Sequence, residues 1–503
     1  MKKGTAPKVA EQILAMSQKG QDLPPLDQIV QAVEIVDEEE QIRNTFKKDK
    51  QKGSYDLAVY LTKKYDIVTI GEKEREVYVY QNGMYTRAEN LILYPEMQRV
   101  LGNLTTKQGK GETFSKITDM THHDRNIFTS ADVNYIPLKN GVYDLQKDKL
   151  LPHSSEYRFK FQFPVEYNST ATCPKIEAFL DQVLTEEQRQ TIEEWIGYYF
   201  YRNYMFKKAL IMVGPGDSGK TTLLQVINRL LGLQNISAVS LHKIGSDKFA
   251  AAHLYEKHGN IVDELEKEDV TRTGNFKIAT GGGTITGEYK FGNQFSFESY
   301  AKFTFACNQI PDVEDFDDEA YFNRWMVIRF GKTIENKILN FAQTLTTEEE
   351  ISGLFNLAMR GLTRLLHNKK FTYSSTAMDT KLEMMRSGTS IARFVKDRLQ
   401  KEPGGTMTNE EMYEAYSSYC ELHDLMPETI TAIGSRLIMY ASYISKAQVY
   451  GLRNGNTVQV RGWRNVSLIP SEDELKEREE IDGMLKQTSD ILEKRAKLVV
   501  KPV

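Results

Sequence analysis

The pattern of apolar and polar positions changes sharply in the middle of the chain. The run "KKALIMV" ends in consecutive apolar residues, which is typical of a strand buried on both faces. A glycine-rich turn follows, and apolar residues then recur at helical spacing as far as Gly232, a typical helix stop. The pattern therefore predicts a strand, a loop and a helix in direct succession. The predicted apolar face of the helix consists of Leu223, Leu224, Val226, Ile227, Leu230 and Leu231.

The turn has the composition of a phosphate-binding loop. Its glycines let successive backbone N–H groups point at one anion, and the following helix adds its positive N-terminal end. Lys220 can place a charge between the β- and γ-phosphates, and the Thr221 hydroxyl can bind magnesium. The sequence thus predicts ATP and Mg²⁺ as cofactors. The predicted nucleotide contacts are Gly214, Pro215, Gly216, Asp217, Ser218, Gly219, Lys220, Thr221 and Thr222.

Two adjacent acids follow the next short apolar run. Ile261 and Val262 predict a strand that ends at Asp263 and Glu264. An ATPase needs one carboxylate for the magnesium shell and a second to orient or deprotonate the attacking water. Alone, this pair would be interpreted as a solvated acidic turn, but its position after a phosphate-binding loop favours the catalytic interpretation.

Two polar side chains flank later strands. Phe303 and Phe305 alternate in a predicted strand that ends at Asn308, whose amide can contact the γ-phosphate or the attacking water. Asn308 can equally cap the turn that follows. Arg324 precedes another apolar strand, and it can point toward the nucleotide of a neighbouring subunit or simply flank the strand. The residues alone leave both pairs of interpretations open.

Composition restricts the class of protein. The 503 residues suffice for about three domains. The net charge of −4 means that any nucleic-acid surface must be local. The widely spaced Cys173, Cys307 and Cys420 argue against a disulfide framework or zinc cluster. Without a signal peptide or a bilayer-spanning apolar run, we expect a cytoplasmic protein, with no membrane partner, at replicating DNA.

The order of these features closely resembles the superfamily 3 helicases of viruses and plasmids. More narrowly, the chain looks like the poxvirus and phage/plasmid primase-helicase family. The stretches "FKIATGGGTITGEYKFGNQFSF", "AKFTFACNQIP" and "YFNRWMVIRF" carry this resemblance, as does "NGVYDLQKDKLLPHSSEYRFKFQFPVEYNSTATCPKIEAFL" ahead of the loop. The resemblance covers about residues 55–470.

The resemblance implies an α/β P-loop ATPase core with an AAA+-like parallel sheet, assembled into a homo-oligomeric ring, expected to be a hexamer. Lys220 and Thr221 would bind ATP and magnesium, with Asp263 as a further magnesium ligand and Glu264 as the base. Asn308 would be the sensor. Arg324 would be the finger that acts on the adjacent subunit.

The resemblance also suggests where this chain departs from the family or contacts DNA. The family often has two arginines at the finger, and the first position here is Asn323. A hairpin between the acids and the sensor would line the pore. Its tip supplies the predicted DNA contacts Tyr289, Lys290 and Phe291.

The end of the resembling region has a pattern of its own. Three predicted helices precede two predicted strands around an Asn454-Gly455 turn, which is typical of a winged-helix-like domain. Its arginines predict a basic side that binds duplex DNA, although a protein-docking role is the alternative. The predicted contacts are Arg436, Arg453, Arg461 and Arg464.

Shifts in composition predict the domain boundaries. They delimit a charged N-terminal tail, an α+β N-terminal domain, the helicase core, a helical linker, the winged-helix-like domain and a charged helical tail. In the same order, the predicted ranges are 1–54, 55–190, 191–331, 332–386, 387–470 and 471–503. Within the second range, "REVYVYQNGMYTR" predicts a hairpin around Asn82-Gly83.

These observations lead us to expect an ATP-driven, ring-forming DNA helicase of a virus, phage or plasmid. Two alternatives stay open: a replication initiator that uses ATP as a switch without unwinding, and a P-loop ATPase that remodels protein. No paired metal-binding acids with a nearby histidine precede Tyr55. We therefore expect this chain to lack a primase domain and to work with a separate primase or polymerase.

Overall fold

The computed structural model of the chain describes most of the sequence from residue 26 to residue 470. The residues between these limits that it does not describe are 72–74, 129–131, 266–272, 291, 311–317, 332–333, 335–339, 389, 424, 426 and 454–455. The predicted tail at 471–503 and residues 1–25 likewise lie outside the described residues.

The N-terminal region combines helices with a small antiparallel sheet in the order β1-β2-β3. Ile42 and Phe46 are buried in one core with Leu57 and Leu61, so the packed region begins ahead of residue 55 and the tail predicted for 1–54 is too long. Its elements are α1 (Leu26–Lys48), α2 (Lys50–Lys64), β1 (Ile67–Ile70), β2 (Glu76–Gln81), β3 (Met84–Arg87), α3 (Tyr94–Leu101) and α4 (Lys107–Met120).

The predicted hairpin between β2 and β3 is confirmed. Gln81 pairs with Met84, which leaves a two-residue turn at Asn82 and Gly83. Both turn residues have positive φ, 51° and 88°, as a type I′ turn requires.

A second small antiparallel sheet leads to two helices that precede the core. Its strands are β4 (Tyr135–Leu138), β5 (Gly141–Asp144) and β6 (Lys149–Leu151), and the helices are α5 (Pro174–Val183) and α6 (Glu186–Phe200). Helix α6 begins with the capping box of Thr185 and Gln188, which satisfies the first backbone N–H groups of the helix.

The core is a five-stranded parallel sheet in the order β13-β7-β12-β9-β8. Along β7, Leu210 and Met212 face one hydrophobic core, whereas Ile211 and Val213 face the other. Burial on both faces explains the uninterrupted apolar run. The strands are β7 (Ala209–Val213), β8 (Ile236–Ser237), β9 (Gly259–Val262), β12 (Lys302–Cys307) and β13 (Trp325–Arg329).

Helices and one antiparallel hairpin connect these strands. The helix predicted after the glycine-rich turn is α7 (Lys220–Leu231), which ends at Gly232 as expected. The other connecting elements are α8 (Leu241–Ser246), α9 (Lys248–Ala252), α10 (Gly274–Ala279), the hairpin strands β10 (Thr284–Glu288) and β11 (Gln294–Glu298), and α11 (Glu319–Phe322).

A helical segment follows the sheet. Helix α13 crosses α6 so closely that a Cβ atom at Gly197 would lie 2.2 Å from the carbonyl oxygen of Ala358. The helices of this segment are α12 (Phe341–Leu345), α13 (Glu348–Asn368) and α14 (Ala377–Gly388).

The last described region has three helices and a three-stranded antiparallel sheet in the order β14-β16-β15. The first helix ends at Arg398, and the chain continues directly as β14. The elements are α15 (Ser390–Arg398), β14 (Leu399–Thr408), α16 (Asn409–Leu422), α17 (Ile430–Tyr440), β15 (Ser445–Arg453) and β16 (Asn456–Leu468). Across the described residues, every helix is too short or too polar to span a bilayer.

Candidate functional site

The glycine-rich loop joins β7 to α7 at the carboxyl edge of the parallel sheet. A Cβ atom at Gly214 would lie 2.3 Å from the carbonyl oxygen of Phe330, so the end of β13 leaves no room for a side chain there. Gly219 has a φ of +97°, in the left-handed region that favours glycine. These glycines are therefore required by a close approach and by the backbone conformation.

The Lys220 side chain folds back over this loop. Its Nζ donates to the carbonyl oxygens of Gly214 at 2.7 Å and Pro215 at 2.8 Å, and to Ser218 Oγ at 3.2 Å. It also donates to Asn308 Oδ1 at 3.3 Å. Burial lowers the pKa of Lys220. The amine thus lies at the centre of the loop and is joined to the strand that ends at Asn308.

The two predicted acids face the start of α7. Thr221 Oγ1 donates to Asp263 Oδ1 at 3.0 Å. Glu264 is exposed and contributes to the same cavity. Since β7, β9 and β12 are parallel, their carboxyl ends meet at one edge and bring the loop, the acids and Asn308 together.

These groups line a cavity of about 750 Å³, which is large enough for a nucleotide. The predicted residues in its wall are Gly216, Asp217, Ser218, Gly219, Lys220, Thr221, Thr222, Asp263, Glu264 and Asn308. A second group, which the sequence did not predict, covers the cavity from α5, α7 and the segment after β13. This group includes Gln182, Gln225, Ile334, Asn340, Phe341 and Ala342.

No local motif could have revealed this second group. Ile334 is fixed by a hydrogen bond from its backbone N–H to the carbonyl oxygen of Asp217 at 3.0 Å. The ring of Phe341 packs edge-on against Phe179 of α5, with ring centroids 5.9 Å apart. Both contacts join segments that are distant in sequence, so only the tertiary fold brings them to the cavity.

The donor set at the loop fits magnesium held mainly by a nucleotide. Within the described ranges, no three His, Cys, Asp or Glu residues are grouped so that they could hold a metal by themselves. Magnesium typically takes only one or two protein ligands besides phosphate and water, and adjacent ligands of an octahedral ion at about 2.1 Å lie about 3 Å apart. The 3.0 Å between Thr221 Oγ1 and Asp263 Oδ1 matches that spacing.

Arg324 lies at the amino ends of the sheet strands, whereas the loop lies at their carboxyl ends. Its neighbour Trp325 pairs with Ala209, at the start of β7, so roughly 16 Å of strand separates it from Gly214. Its guanidinium donates to the carbonyl oxygens of Ala320 at 2.7 Å and Lys277 at 3.2 Å. The fold therefore does not bring Arg324 to the loop of its own chain.

A second cation stands beside Arg324. Lys208 directly precedes β7, and its Nζ donates to the backbone oxygen of Asn323 at 2.5 Å. Burial, and next the charge of Arg324, lowers the pKa of Lys208. Among the described side chains, no carboxylate comes within 4.0 Å of either cation. Burial lowers the pKa of Arg324, and the charge of Asp318 opposes that shift. Asp318 itself is paired with Lys277 at 2.6 Å, so neither cation of the pair has a close carboxylate among the described residues.

The hairpin predicted between the acids and Asn308 is present, and its turn is at the surface. Tyr289 and Lys290 are exposed, whereas Phe291 lies outside the described residues. The Tyr289 ring stacks on Phe295 with centroids 5.2 Å apart. An ion pair of 2.5 Å between Lys248 and Glu288 ties the hairpin to α9.

The C-terminal arginines do not form one basic side. Arg461 and Arg464 are both exposed, but they stand three positions apart on β16, so strand alternation directs them to opposite faces. Arg436 is half-buried and pairs with Glu428 at 3.0 Å. Arg453 ends β15, and its side chain, like the Asn454-Gly455 turn, lies outside the described part of the chain.

Comparisons with known proteins identify two regions of similarity to family models. Residues 37–185 match the family described as D5 N terminal like. Residues 212–324, which include most of the loop, the acids and the hairpin, match a family of unknown function (DUF5906). The first match begins ahead of residue 55, in agreement with the packing of α1.

Individual relatives are distant. A protein of Acanthamoeba polyphaga mimivirus, named as a putative helicase, is 25% identical over 250 residues, which cover 46% of this chain. The match spans only 25% of that protein's length. Two apo structures of the NrS-1 C-terminal region match with TM-scores of 0.46 and 0.44 at 12% identity, over 82% and 81% of this chain and 98% of each of theirs. The chain is thus similar to the D5 N terminal like family over its N-terminal part and to a viral protein named as a helicase.

Proposed function

We propose that this chain is the ATP-driven DNA helicase of a viral, phage or plasmid replication system. The observation that carries the proposal is the meeting of Lys220, Thr221, Asp263, Glu264 and Asn308 at one edge of the sheet. The similarity to a viral protein named as a helicase supports the same class. An AAA+-like core of the superfamily 3 type is supported by β12, which separates the loop strand from the acid strand and carries the sensor.

Each residue has a distinct role in the proposed hydrolysis. Lys220 binds the β- and γ-phosphates, and Asn308 orients the terminal phosphate or the attacking water. Glu264 takes the proton of that water, since it directly follows Asp263 at the end of β9 and lines the cavity without a hydrogen bond to Thr221. Thr221 and Asp263 would hold magnesium, which neutralises charge on the phosphates when bound.

The proposal includes a ring, for which we expect a hexamer. Arg324 is about 16 Å of strand away from its own loop, so it can act only on the nucleotide of a neighbouring subunit. Lys208 beside it would add a second cation in place of the second arginine that Asn323 replaces. No described carboxylate lies within 4.0 Å of either cation, which supports an anion that arrives from outside the chain.

DNA would contact two separate regions of this helicase. The hairpin tip with Tyr289 and Lys290 would face a strand in the central pore, and the winged-helix-like region would hold duplex DNA. Priming would come from a separate primase or polymerase. This role would place the protein at replicating DNA, in agreement with the location expected from the sequence.

The proposed hydrolysis is tested with two substitutions and one control. Lys220→Ala should abolish ATP binding, because it removes the cation at the centre of the loop. Glu264→Gln should bind ATP normally but hydrolyse it about a hundredfold or more slowly, because the water loses its base. Glu414→Gln, an exposed glutamate on α16, should behave as wild type in both measurements.

The same proteins distinguish a helicase from the alternatives. Wild type should displace a labelled strand from a forked duplex, and both site variants should fail to do so. Hydrolysis by Glu264→Gln at near wild-type rate would overturn the assignment of the base. ATP hydrolysis by wild type without strand displacement would instead favour the initiator or the protein-remodelling ATPase.

A further inference from the structure

A second cavity, of about 660 Å³, shares Asn308 with the nucleotide cavity. One wall is the carboxyl edge of the sheet, with Val213 and Arg329. The opposite wall comes from α14 and α15, which connect the core to the C-terminal region. The site of the proposed sensor is therefore open to a charged space on a second side.

Arg329 is held close to the phosphate-binding loop by the sheet itself. It is the last residue of β13 and pairs with Val213, the residue that directly precedes Gly214. The next residue, Phe330, donates its backbone N–H to the carbonyl oxygen of Val213 at 2.8 Å. Arg329 thus begins at the same edge of the sheet as Lys220, in contrast to Arg324.

A carboxylate of α14 engages the guanidinium of Arg329. Its Nε donates to Glu383 Oε1 at 2.5 Å, and 49% of the Arg329 side chain is exposed. Two other acids of this cavity have different partners. Asp379 accepts from the hydroxyl of Thr376 at 2.7 Å, and Asp397 accepts from the hydroxyl of Tyr419 at 2.6 Å.

We propose that Arg329 contacts the terminal phosphate of the nucleotide bound to its own chain, and that Glu383 competes with this phosphate for the guanidinium. The proposal rests on the nucleotide-binding function proposed above. A phosphate beside Asn308 offers the guanidinium the paired acceptors that it binds best. ADP lacks the terminal phosphate, so with ADP bound Arg329 stays with Glu383.

Because of this exchange of partners, the attachment of α14 to the sheet depends on whether the bound nucleotide has a terminal phosphate. Since Glu383 belongs to α14, the ion pair fastens this helix to the sheet edge while the terminal phosphate is absent. When Arg329 turns to the phosphate, that link between the core and α14 is lost. Hydrolysis would then restore it once per turnover.

Binding constants for ADP and a non-hydrolysable ATP analogue test the proposal. Arg329→Ala should raise the dissociation constant of the ATP analogue by about tenfold or more, because the contact with the terminal phosphate is lost. The dissociation constant of ADP should change by less than about twofold. Glu383→Gln should have the opposite effect and favour the ATP analogue over ADP, because the carboxylate that competes with the terminal phosphate has lost its charge. Lys63→Ala, which removes a surface ion pair with Glu38, is the control and should leave both constants unchanged.

Two outcomes would overturn this inference and leave the proposed function standing. One is an Arg329→Ala protein with an unchanged ratio of ATP-analogue to ADP affinity while Lys220→Ala loses both ligands. The other is an Arg329→Lys or Glu383→Gln protein that folds normally but shows no change in that ratio. If Lys220→Ala itself binds nucleotide normally, the proposed function fails instead.

Mixed rings separate a contact within the chain from one between subunits. Arg324→Ala subunits mixed with Lys220→Ala subunits should recover part of the ATPase, because some interfaces then join an intact loop to an intact finger. Adding Lys220→Ala subunits to Arg329→Ala subunits should not raise the ATPase, because the loop and Arg329 must be intact in the same chain. Recovery in the second mixture would overturn the assignment of Arg329 to its own nucleotide.

Discussion

Lys302 carries an amine into the interior at the start of β12. Its Nζ donates to the carbonyl oxygens of Tyr201 at 2.7 Å and Tyr300 at 2.6 Å, and the rings of Tyr198 and Tyr204 lie 4.3 and 5.2 Å away. Burial lowers the pKa of Lys302 well below its ordinary value of 10.5. The cost of burying this group must therefore appear in the pH dependence of stability.

In the wild-type protein, Lys302 should make the free energy of unfolding increase with pH, and Lys302→Met should remove this increase. Between the folded pKa and about 10.5, the unfolded chain binds a proton at Lys302 that the folded chain does not. The free energy of unfolding therefore increases with pH in that window, by at most about 1.4 kcal/mol per pH unit, and stops increasing above the unfolded pKa. The measurement is urea unfolding of both proteins from pH 6 to pH 10.

The difference between the two stability curves isolates Lys302, because all other titrating groups are common to both proteins. Lys63→Met, a change at an exposed lysine, provides the control and should follow wild type. Parallel curves for wild type and Lys302→Met would show that the buried amine keeps an ordinary pKa.

At the residue scale, sequence predicted the groups that belong to a local motif and missed the others. Lys220 and Thr221 follow the loop directly, so the motif fixes their positions. Phe341 and Gln182 reach the cavity only because α5 and α12 fold over the loop. No sequence motif identifies Arg329 as a site residue for the same reason, since it lies close to Gly214 only because β13 pairs with β7.

The contact between α6 and α13 depends on glycines that allow two backbones to touch. Gly197 of α6 faces the carbonyl oxygen of Ala358, and Gly361 of α13 faces the backbone of Glu193, where a Cβ atom would lie 2.6 Å from the carbonyl oxygen. Arg364 adds an ion pair to the buried Glu194 at 2.7 Å. The helix that precedes the core is thereby fixed to the helix that follows it.

Gly197→Ala should destabilise the protein although alanine is the better helix former. The new methyl group would meet a backbone oxygen at 2.2 Å, and forced overpacking costs about 1–3 kcal/mol. Gly111→Ala in α4 is the matched control, because no atom lies within 4 Å of its added Cβ, and it should stabilise by about 0.5–1 kcal/mol. Denaturant unfolding measures both, and equal effects of the two substitutions would contradict the close helix contact.

At the element scale, hydrophobic periodicity predicted most helices and strands. It failed for strands whose formation depends on pairing with a strand distant in sequence. The Asn82-Gly83 hairpin and the strand–loop–helix unit have strong local signals, and both are confirmed. Strand β14 contains "EPGG", a poor strand sequence, which lies in a register irregularity between Lys401 and Thr406, and the strand forms because the residues on both sides of it pair with β16. The strand order of the core also has no local signal, since β12 enters between two strands that precede it in sequence.

At the scale of the whole molecule, the described basic residues that we predict to contact DNA lie in two separate regions. Lys290 is at the turn of the core hairpin, and Arg461 is on β16 of the C-terminal sheet. Arg461 shares its face of the sheet with Lys446 and Tyr450, of which the tyrosine is 72% exposed. Arg464 points to the opposite face, so a duplex against one face reaches only one of the two arginines.

Variants at these positions should separate translocation from loading. Lys290→Ala should lose unwinding and DNA-stimulated ATPase but keep basal ATPase, because no described residue of the hairpin lines the nucleotide cavity. Its lost contact is with phosphate, so the salt dependence of single-strand binding should flatten by roughly 0.7 log units per log salt for each contact removed. Arg461→Ala should weaken duplex binding and leave unwinding of a preloaded fork intact.

Arg464→Ala is the matched control for Arg461→Ala, because it removes the same charge from the same strand on the other face. A cation and an aromatic side chain beside Arg461 favour that face for DNA, so Arg464→Ala should bind duplex as wild type does. If both variants lose the same amount of duplex affinity, the face of the sheet on which an arginine lies does not determine whether it contacts DNA. If Lys290→Ala unwinds a preloaded fork normally while Arg461→Ala fails, DNA is moved by the C-terminal sheet and the pore assignment of the hairpin is wrong.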